Sequence, residues 1–90
     1  MDFQNHRCMQ ANPLRKDLLK YLSNHGLLER FKKQLDYFLN DPSHPSLNTE
    51  KIKIKNYEAY SFRIDRKYRV IFVYYSDDSI EIVDINNHYH

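Results

Sequence analysis

The stretch from Tyr60 to Phe72 combines basic side chains with strand-forming residues, and it could act on an anionic group. Its sequence, YSFRIDRKYRVIF, has three arginines and one lysine among aromatic and β-branched residues. Residues of this kind bury one face of a strand, so the guanidinium groups must lie on the other face or at the strand ends. Because guanidinium and phosphate form paired hydrogen bonds, the stretch predicts a phosphate-binding surface on a rigid sheet.

The segment before this stretch is also basic. From Glu50 to Arg69 there are seven Lys and Arg residues against three acids, although the whole chain has a formal charge of only +2. Lys51, Lys53 and Lys55 alternate with isoleucines, which predicts three ammonium groups on one face of a strand. Such lysines either bind an anionic partner or protect a sheet edge from aggregation.

Arg63 and Arg69 favour the anionic partner. An arginine so close to a buried strand centre is costly unless it meets an anion or an acid. Glu50, Asp65 and Asp84 are possible acids, so internal salt bridges are the alternative interpretation of the two arginines.

Two further groups could transfer protons. Glu50 could act as a general base, although its spacing alone is more typical of an exposed acid before a turn. The chain ends in Asn-Asn-His-Tyr-His after a predicted strand, which would hold His88 and Tyr89 at the sheet edge. An imidazole there could protonate a leaving group, and the alternative is a frayed terminus.

Composition argues against several other kinds of site. Cys8 is the single cysteine, so neither an internal disulfide nor a cysteine zinc site is expected. The pairs His6–Cys8 and His88–His90 lack the nearby acids that would make a strong metal signal, and one glycine does not suffice for a glycine-rich phosphate loop. We expect no metal, no cofactor, no membrane span and no signal peptide, and hence a cytoplasmic protein.

Two helices should precede the basic strands, within one domain over residues 1–90. Asn12-Pro13 predicts a helix start, and Gly26 can take the left-handed conformation that ends this helix. A second helix follows from Leu27 to Asn40. A link this short predicts a helical hairpin.

After a loop with two prolines, the apolar period changes from helical to two. Strands are predicted over 51–55, 60–65, 68–75 and 80–85, with short turns that require antiparallel pairing. A further short strand could run over 2–9. The predicted fold is therefore α+β, with an N-terminal helical hairpin packed on a three- to four-stranded antiparallel sheet.

These features resemble the RelE/ParE superfamily of toxins from bacterial type II toxin–antitoxin systems. The resemblance runs from about Leu27 to Tyr89 and is carried by the segments FKKQLDYFLNDPSHPSLNTEKIK, YSFRIDRKYRVIF and DDSIEIVDINNHY. The order of elements is similar as well, with two helices before a basic meander that ends in His-Tyr.

The resemblance implies a metal-independent endoribonuclease that cuts mRNA in the ribosomal A site. A cognate antitoxin would hold it inactive, and operator DNA would be reached only through that antitoxin. The pattern of YoeB-like members gives catalytic roles to Glu50, Arg63, Arg69, His88 and Tyr89. Glu50 would accept the 2′-hydroxyl proton, the arginines would stabilise the phosphorane, and His88 would protonate the departing oxygen. Tyr89 would stack on or position a base, and Glu50 and His88 could exchange roles.

RelE-like members instead use lysines in the strand after the loop, and Lys51, Lys53 and Lys55 could fill that role. With Arg66 and Lys67 they form the predicted RNA-binding set. Two other functions stay open at this point: a ParE-like inhibitor of DNA gyrase, and a catalytically inactive module that only binds an antitoxin.

Overall fold

The fold combines two helices with one mixed sheet. The structure is a computed structural model that describes residues 9–87. The helices are α1 (Lys16–Asn24) and α2 (Leu28–Asn40), followed by a 3₁₀ turn at Pro45–Leu47. The strands are β1 (Gln10–Ala11), β2 (Glu50–Ile54), β3 (Tyr57–Arg63), β4 (Arg69–Ser76) and β5 (Ser79–Asn86). They lie in the order β1-β5-β4-β3-β2. The predicted α+β class is confirmed.

The sheet of the described part has five strands, where three or four were predicted. The additional strand is β1, which pairs in parallel with the start of β5 through Gln10 and Ala11. Hydrogen bonds from Gln10 N to Asp78 O (2.8 Å) and from Asn12 N to Ile80 O (2.9 Å) hold it there. A strand of two residues is too short to show the alternation of apolar and polar residues by which strands are predicted. Of the strand predicted over 2–9, all but Met9 lies outside the described residues.

Helix α1 begins later than predicted. Asn12 does not cap the helix, because its side-chain amide donates to Glu81 Oε1 (3.0 Å), and the residue before the helix is Arg15. The predicted end is confirmed. Gly26 has φ +65°, its N–H donates to Ser23 O and the next N–H donates to Leu22 O. This is the pair of bonds of a Schellman motif.

Both helices pack on one face of the sheet, where aromatic rings form the centre of the core. Phe38 of α2 stacks on Phe62 at a centroid distance of 5.3 Å and meets Phe72 edge-on at 4.8 Å. All three rings are fully buried, and buried rings dominate the energetics of a small core. Leu18 and Leu22 of α1 belong to the same cluster. None of the helices within residues 9–87 is long and apolar enough to cross a bilayer.

The β2–β3 hairpin is tighter than predicted. Ile54 pairs with Tyr57, so the turn consists of Lys55 and Asn56 alone, and the turn over 56–59 that the predicted strands 51–55 and 60–65 imply is wrong. Lys55 has φ +49°, a left-handed conformation that two-residue hairpin turns demand. Lysine has no preference for that conformation, so the two-residue turn could not be predicted from the residue type.

The second face of the sheet, which we call the open face, does not pack on the helices. The register places Glu50 opposite Ser61, Ser61 opposite Ile71, and Arg63 opposite Arg69. Directly paired residues share a face, and Ser61 alternates with the core residue Phe62. The open face therefore carries Glu50, Ile52, Ile54, Ala59, Ser61, Arg63, Arg69, Ile71, Asp84 and Asn86.

Candidate functional site

Arg69 is the most firmly positioned cation of the open face. Its Nε and Nη2 atoms donate to Ser61 Oγ at 3.0 and 2.7 Å, and Nη2 also donates to Asn48 O at 2.8 Å. The Ser61 side chain is 1% exposed, which leaves its hydroxyl little freedom. Asn48 has φ +46° and follows the 3₁₀ turn, so the loop before β2 aims its carbonyl at the guanidinium. These three hydrogen bonds hold the guanidinium in one orientation.

The surroundings of Arg69 lower its pKa below the usual value of arginine. Burial is the main cause that lowers the pKa of Arg69; Glu50 raises that pKa, and Arg63 lowers it. Arg63 is the cross-strand partner of Arg69 on β3, and its positive charge is close enough to act on the pKa of Arg69. Like charges in such a pair repel each other. An anion bound between them would relieve that repulsion.

The internal salt bridges that the sequence left open do not involve these arginines. Within residues 9–87, neither Arg63 nor Arg69 forms an ion pair with a carboxylate. Asp65 instead pairs with Arg30 of α2 at 3.3 Å. This finding favours the other interpretation of the two arginines, in which an external anion completes the site.

Glu50 lies close enough to Arg69 for its charge to raise the pKa of that guanidinium. Glu50 is exposed, and its cross-strand partner is Ser61, the residue that holds Arg69. A carboxylate and two guanidinium groups therefore face one region, which we call the Arg69 cluster: Glu50, Ser61, Arg63 and Arg69.

The lysines of β2 do not join the Arg69 cluster. Lys51 and Lys53 alternate with Glu50 and Ile52 and therefore lie on the helix-side face of the sheet, at its edge. The Lys51 Nζ atom is 3.4 Å from Glu58 Oε2, and Lys55 lies in the hairpin turn. The sequence predicted all three ammonium groups on one strand face. Lys51 and Lys53 share a face of β2, but the prediction is wrong for Lys55. None of the three stands beside the arginines.

Arg66 and Lys67 lie in the loop between β3 and β4, and both are exposed. Asp65 shapes this loop, since its Oδ1 accepts from the backbone N–H groups of Lys67 (2.8 Å) and Tyr68 (2.9 Å). The two basic residues border a cleft of about 500 Å³ that Arg30 and Arg63 also line. Arg63 thus connects the Arg69 cluster with a second cationic region next to α2.

Two of the predicted catalytic residues, His88 and Tyr89, lie outside the described residues. The last residue of β5 is Asn86, which is the cross-strand partner of Arg69. His88 follows Asn86 by two positions along the chain. Among residues 9–87, no three His, Cys, Asp or Glu side chains are grouped so that they could hold a metal ion.

A groove of about 580 Å³ runs across the open face beside the Arg69 cluster. Ala59 and Ser61, the β3 residues in the middle of this face, are small and buried. Ile52, Ile54, Ile71 and Val83 form the apolar part of the groove, and Asp84 and Asn86 lie at its β5 end. Tyr57 and Lys53 border it at the β2–β3 hairpin, where Lys53 reaches the groove from the edge of the sheet. We call it the open-face groove.

The residues that position the two arginines were not predicted from the sequence. Ser61 gave a usable signal, since a serine within an apolar strand next to basic residues must satisfy its hydroxyl. Gln34 gave none. Its buried amide donates to the carbonyls of Arg63 (2.8 Å) and Ser46 (3.2 Å), and it thereby joins α2 to the end of β3 and to the 3₁₀ turn.

Several solved structures have a fold similar to that of this chain. The YoeB dimer from Staphylococcus aureus superposes with a TM-score of 0.66 at 20% identity, over 93% of this chain and 99% of that one. The archaeal RelE–RelB complex from Pyrococcus horikoshii OT3 gives 0.64 at 21% identity, over 91% and 94%. The heterotetrameric YoeB–YefM toxin–antitoxin complex from Staphylococcus aureus gives 0.64 at 22%, over 92% and 99%.

The chain has the RelE/YoeB toxin fold. The resemblance seen in the sequence is thereby confirmed at the level of the fold. No family model matches the sequence, and no curated protein matches it. The function of this chain therefore has to be inferred from its own residues.

Proposed function

We propose that the chain is the toxin of a toxin–antitoxin pair and cleaves mRNA on the ribosome. The observation that carries this proposal is Arg69, a half-buried guanidinium held by Ser61 and Asn48 beside a second arginine and a carboxylate. The RelE/YoeB fold supports it, because neighbours with that fold include toxin–antitoxin complexes. The proposed substrate would make this a cytoplasmic protein.

The reaction needs a base, cationic donors and an acid, and the Arg69 cluster offers the first two. Glu50 accepts the proton of a 2′-hydroxyl, whose oxygen then attacks the adjacent phosphorus. Arg69 and Arg63 donate to the non-bridging oxygens, where charge builds up as the phosphorane forms. The 5′-oxygen leaves, and the products are a 2′,3′-cyclic phosphate and a 5′-hydroxyl. No metal is required in this scheme.

The acid and the base-positioning group are proposed to come from the end of the chain. His88 protonates the departing 5′-oxygen, and Tyr89 stacks on or orients a base. Their support is the sequence: β5 ends opposite Arg69, and His88 comes two positions later. The same groups would also work with His88 as base and Glu50 as acid.

The proposed partner is a cognate antitoxin. RelE was solved with RelB and YoeB with YefM, and this chain shares their fold. Its exposed cations, which include Arg66 and Lys67 beside α2, suit an acidic antitoxin segment. The RNA-binding role of Arg66, Lys67 and the three β2 lysines is proposed to be contact with ribosomal phosphates outside the cleavage site.

The test is cleavage of a defined mRNA on programmed ribosomes by the purified chain. The parent should cleave in the A site, and Arg69→Ala should lose roughly two to three powers of ten in rate, the usual loss for one oxyanion donor. Lys33→Ala removes an exposed cation of α2 that lines neither the Arg69 cluster nor the cleft beside it; it serves as the control and should cleave like the parent. Inhibited gyrase supercoiling without RNA cleavage would assign the ParE-like function instead. Antitoxin binding with neither activity would indicate an inactive module.

A further inference from the structure

The open-face groove continues beyond the residues used in the proposed reaction. Its apolar lining consists of the buried Ile71 together with Ile52, Ile54 and Val83. At about 580 Å³ it falls in the size range of small-ligand sites. Isoleucines of an edge strand normally pack into a core, but here they line a concave surface that is open to solvent.

The β5 end of the groove carries a fixed carboxylate. Asp84 lies opposite Ile71, and Asn86 lies opposite Arg69, so Asp84 is about 7 Å further along the sheet than Asn86. The Asn86 amide donates to Asp84 Oδ2 at 3.2 Å. Asp84 is exposed and has no ion pair in the described part of the chain. The nearby Arg15 directs its guanidinium to Asp17 and to the carbonyl of Val83.

A carboxylate at this end of the groove restricts what can bind. It repels phosphate and accepts hydrogen bonds from N–H groups, while the apolar walls suit a flat, uncharged ring. Tyr57 stands at the rim with half of its surface exposed, and an exposed aromatic ring can stack on a base. Phosphate oxygens can thus bind at Arg69, and a nucleobase can bind in the groove at Asp84.

We propose that the open-face groove binds an unpaired RNA base next to the cleaved phosphate, and that Asp84 reads its Watson–Crick edge in favour of guanine. Guanine offers two adjacent N–H donors on that edge, which match the two oxygens of one carboxylate. Unpaired bases are commonly recognised through that edge together with stacking. The assignment of the phosphate end rests on the proposed function, whereas base binding in the groove can be measured by itself.

Nucleotide titration tests the groove without ribosomes. Methyl NMR signals of the groove residues, such as Ile52, Ile71 and Val83, are followed as 5′-GMP, 5′-AMP, 5′-CMP and 5′-UMP are added to the whole chain. GMP should bind at least about fivefold more tightly than UMP, the lower limit for one good bidentate contact. Asp84→Asn should abolish that preference, and Asp77→Asn, an acid in the β4–β5 turn, should keep it.

The Arg69→Ala variant distinguishes binding of the phosphate from binding of the base. It should weaken all four nucleotides by a similar factor and leave the GMP preference intact. Equal binding of the four nucleotides by the parent would overturn the proposal, and so would shifts confined to residues outside the groove. A lysine-containing peptide that shifts these methyls through Asp84, where GMP shifts none, would assign the groove to a protein partner.

Cleavage mapping then tests the same site in the reaction. On a library of codons in programmed ribosomes, the parent should favour guanine at one position beside the cut, and Asp84→Asn should spread cleavage over other bases. An unchanged pattern in Asp84→Asn would overturn the proposal. A parent that binds GMP selectively but cuts no RNA would instead refute the proposed function and leave the groove assignment standing.

Discussion

Removal of the Ser61 hydroxyl tests whether Arg69 works because it is held in place. In Ser61→Ala, two donor atoms of a half-buried guanidinium lose their acceptor, and only the Nη2 bond to Asn48 O is retained. Hydrogen bonds to charged groups contribute about 1.5–3 kcal/mol, so we expect the cleavage rate to fall about tenfold to hundredfold. Since Arg69 is partly solvated, we expect folding to lose less, about 1 kcal/mol, or roughly 4–8 °C in Tm.

The assay is single-turnover cleavage of mRNA on programmed ribosomes, at a temperature where both proteins are folded. Ser76→Ala is the matched control, because it removes a serine hydroxyl that bonds within the β4–β5 turn, far from the Arg69 cluster. The double variant Ser61→Ala/Arg69→Ala should be no slower than Arg69→Ala, since residues that act as one unit are not additive. Ser61→Ala with the parent rate, or fully additive losses, would refute the positioning role.

The remaining predictions concern Arg63, Lys51 and the helix end. Arg63→Ala should lower the cleavage rate, yet raise Tm slightly in the absence of anions, because the repulsion with Arg69 is removed; added phosphate should then stabilise this variant less than the parent. Lys51→Ala should reduce the saturated cleavage rate far less than Arg63→Ala, since Lys51 lies on the other face and pairs with Glu58. Gly26→Ala should cost about 1–2 kcal/mol in the free energy of unfolding, measured by urea denaturation. That loss is purely conformational, because an added Cβ at Gly26 has no atom within 4 Å, and Gly26→Asn should lose less.

The elements that depend on local chemistry could be predicted from the sequence. The apolar stripes gave both helices, and Gly26 gave the end of the first, since a left-handed cap strongly favours glycine. The start of α1 could not be read in the same way. Asn12 has the side chain of a good N-cap, but it bonds to Glu81 in β5, a contact that no local pattern reveals.

The candidate site depends on the register of the sheet, which the sequence constrains only partly. A period of two places Lys51 and Lys53 on the same face, but it does not say which face. The interpretation with isoleucines inside and lysines beside the arginines is natural, and here it is inverted. Ile52 lines the open-face groove, and Glu50, one step from Lys51, is the residue that joins the Arg69 cluster.

The most direct test of the account replaces one atom of the substrate. An mRNA with a single 2′-deoxyribose at the cut position is compared with the all-ribose mRNA on programmed ribosomes, with the parent chain and with Arg69→Ala. The account predicts cleavage by the parent of the all-ribose mRNA alone, with a 2′,3′-cyclic phosphate on the product, and strongly reduced cleavage by Arg69→Ala. Cleavage of the deoxy-substituted site, or of neither mRNA, would contradict it.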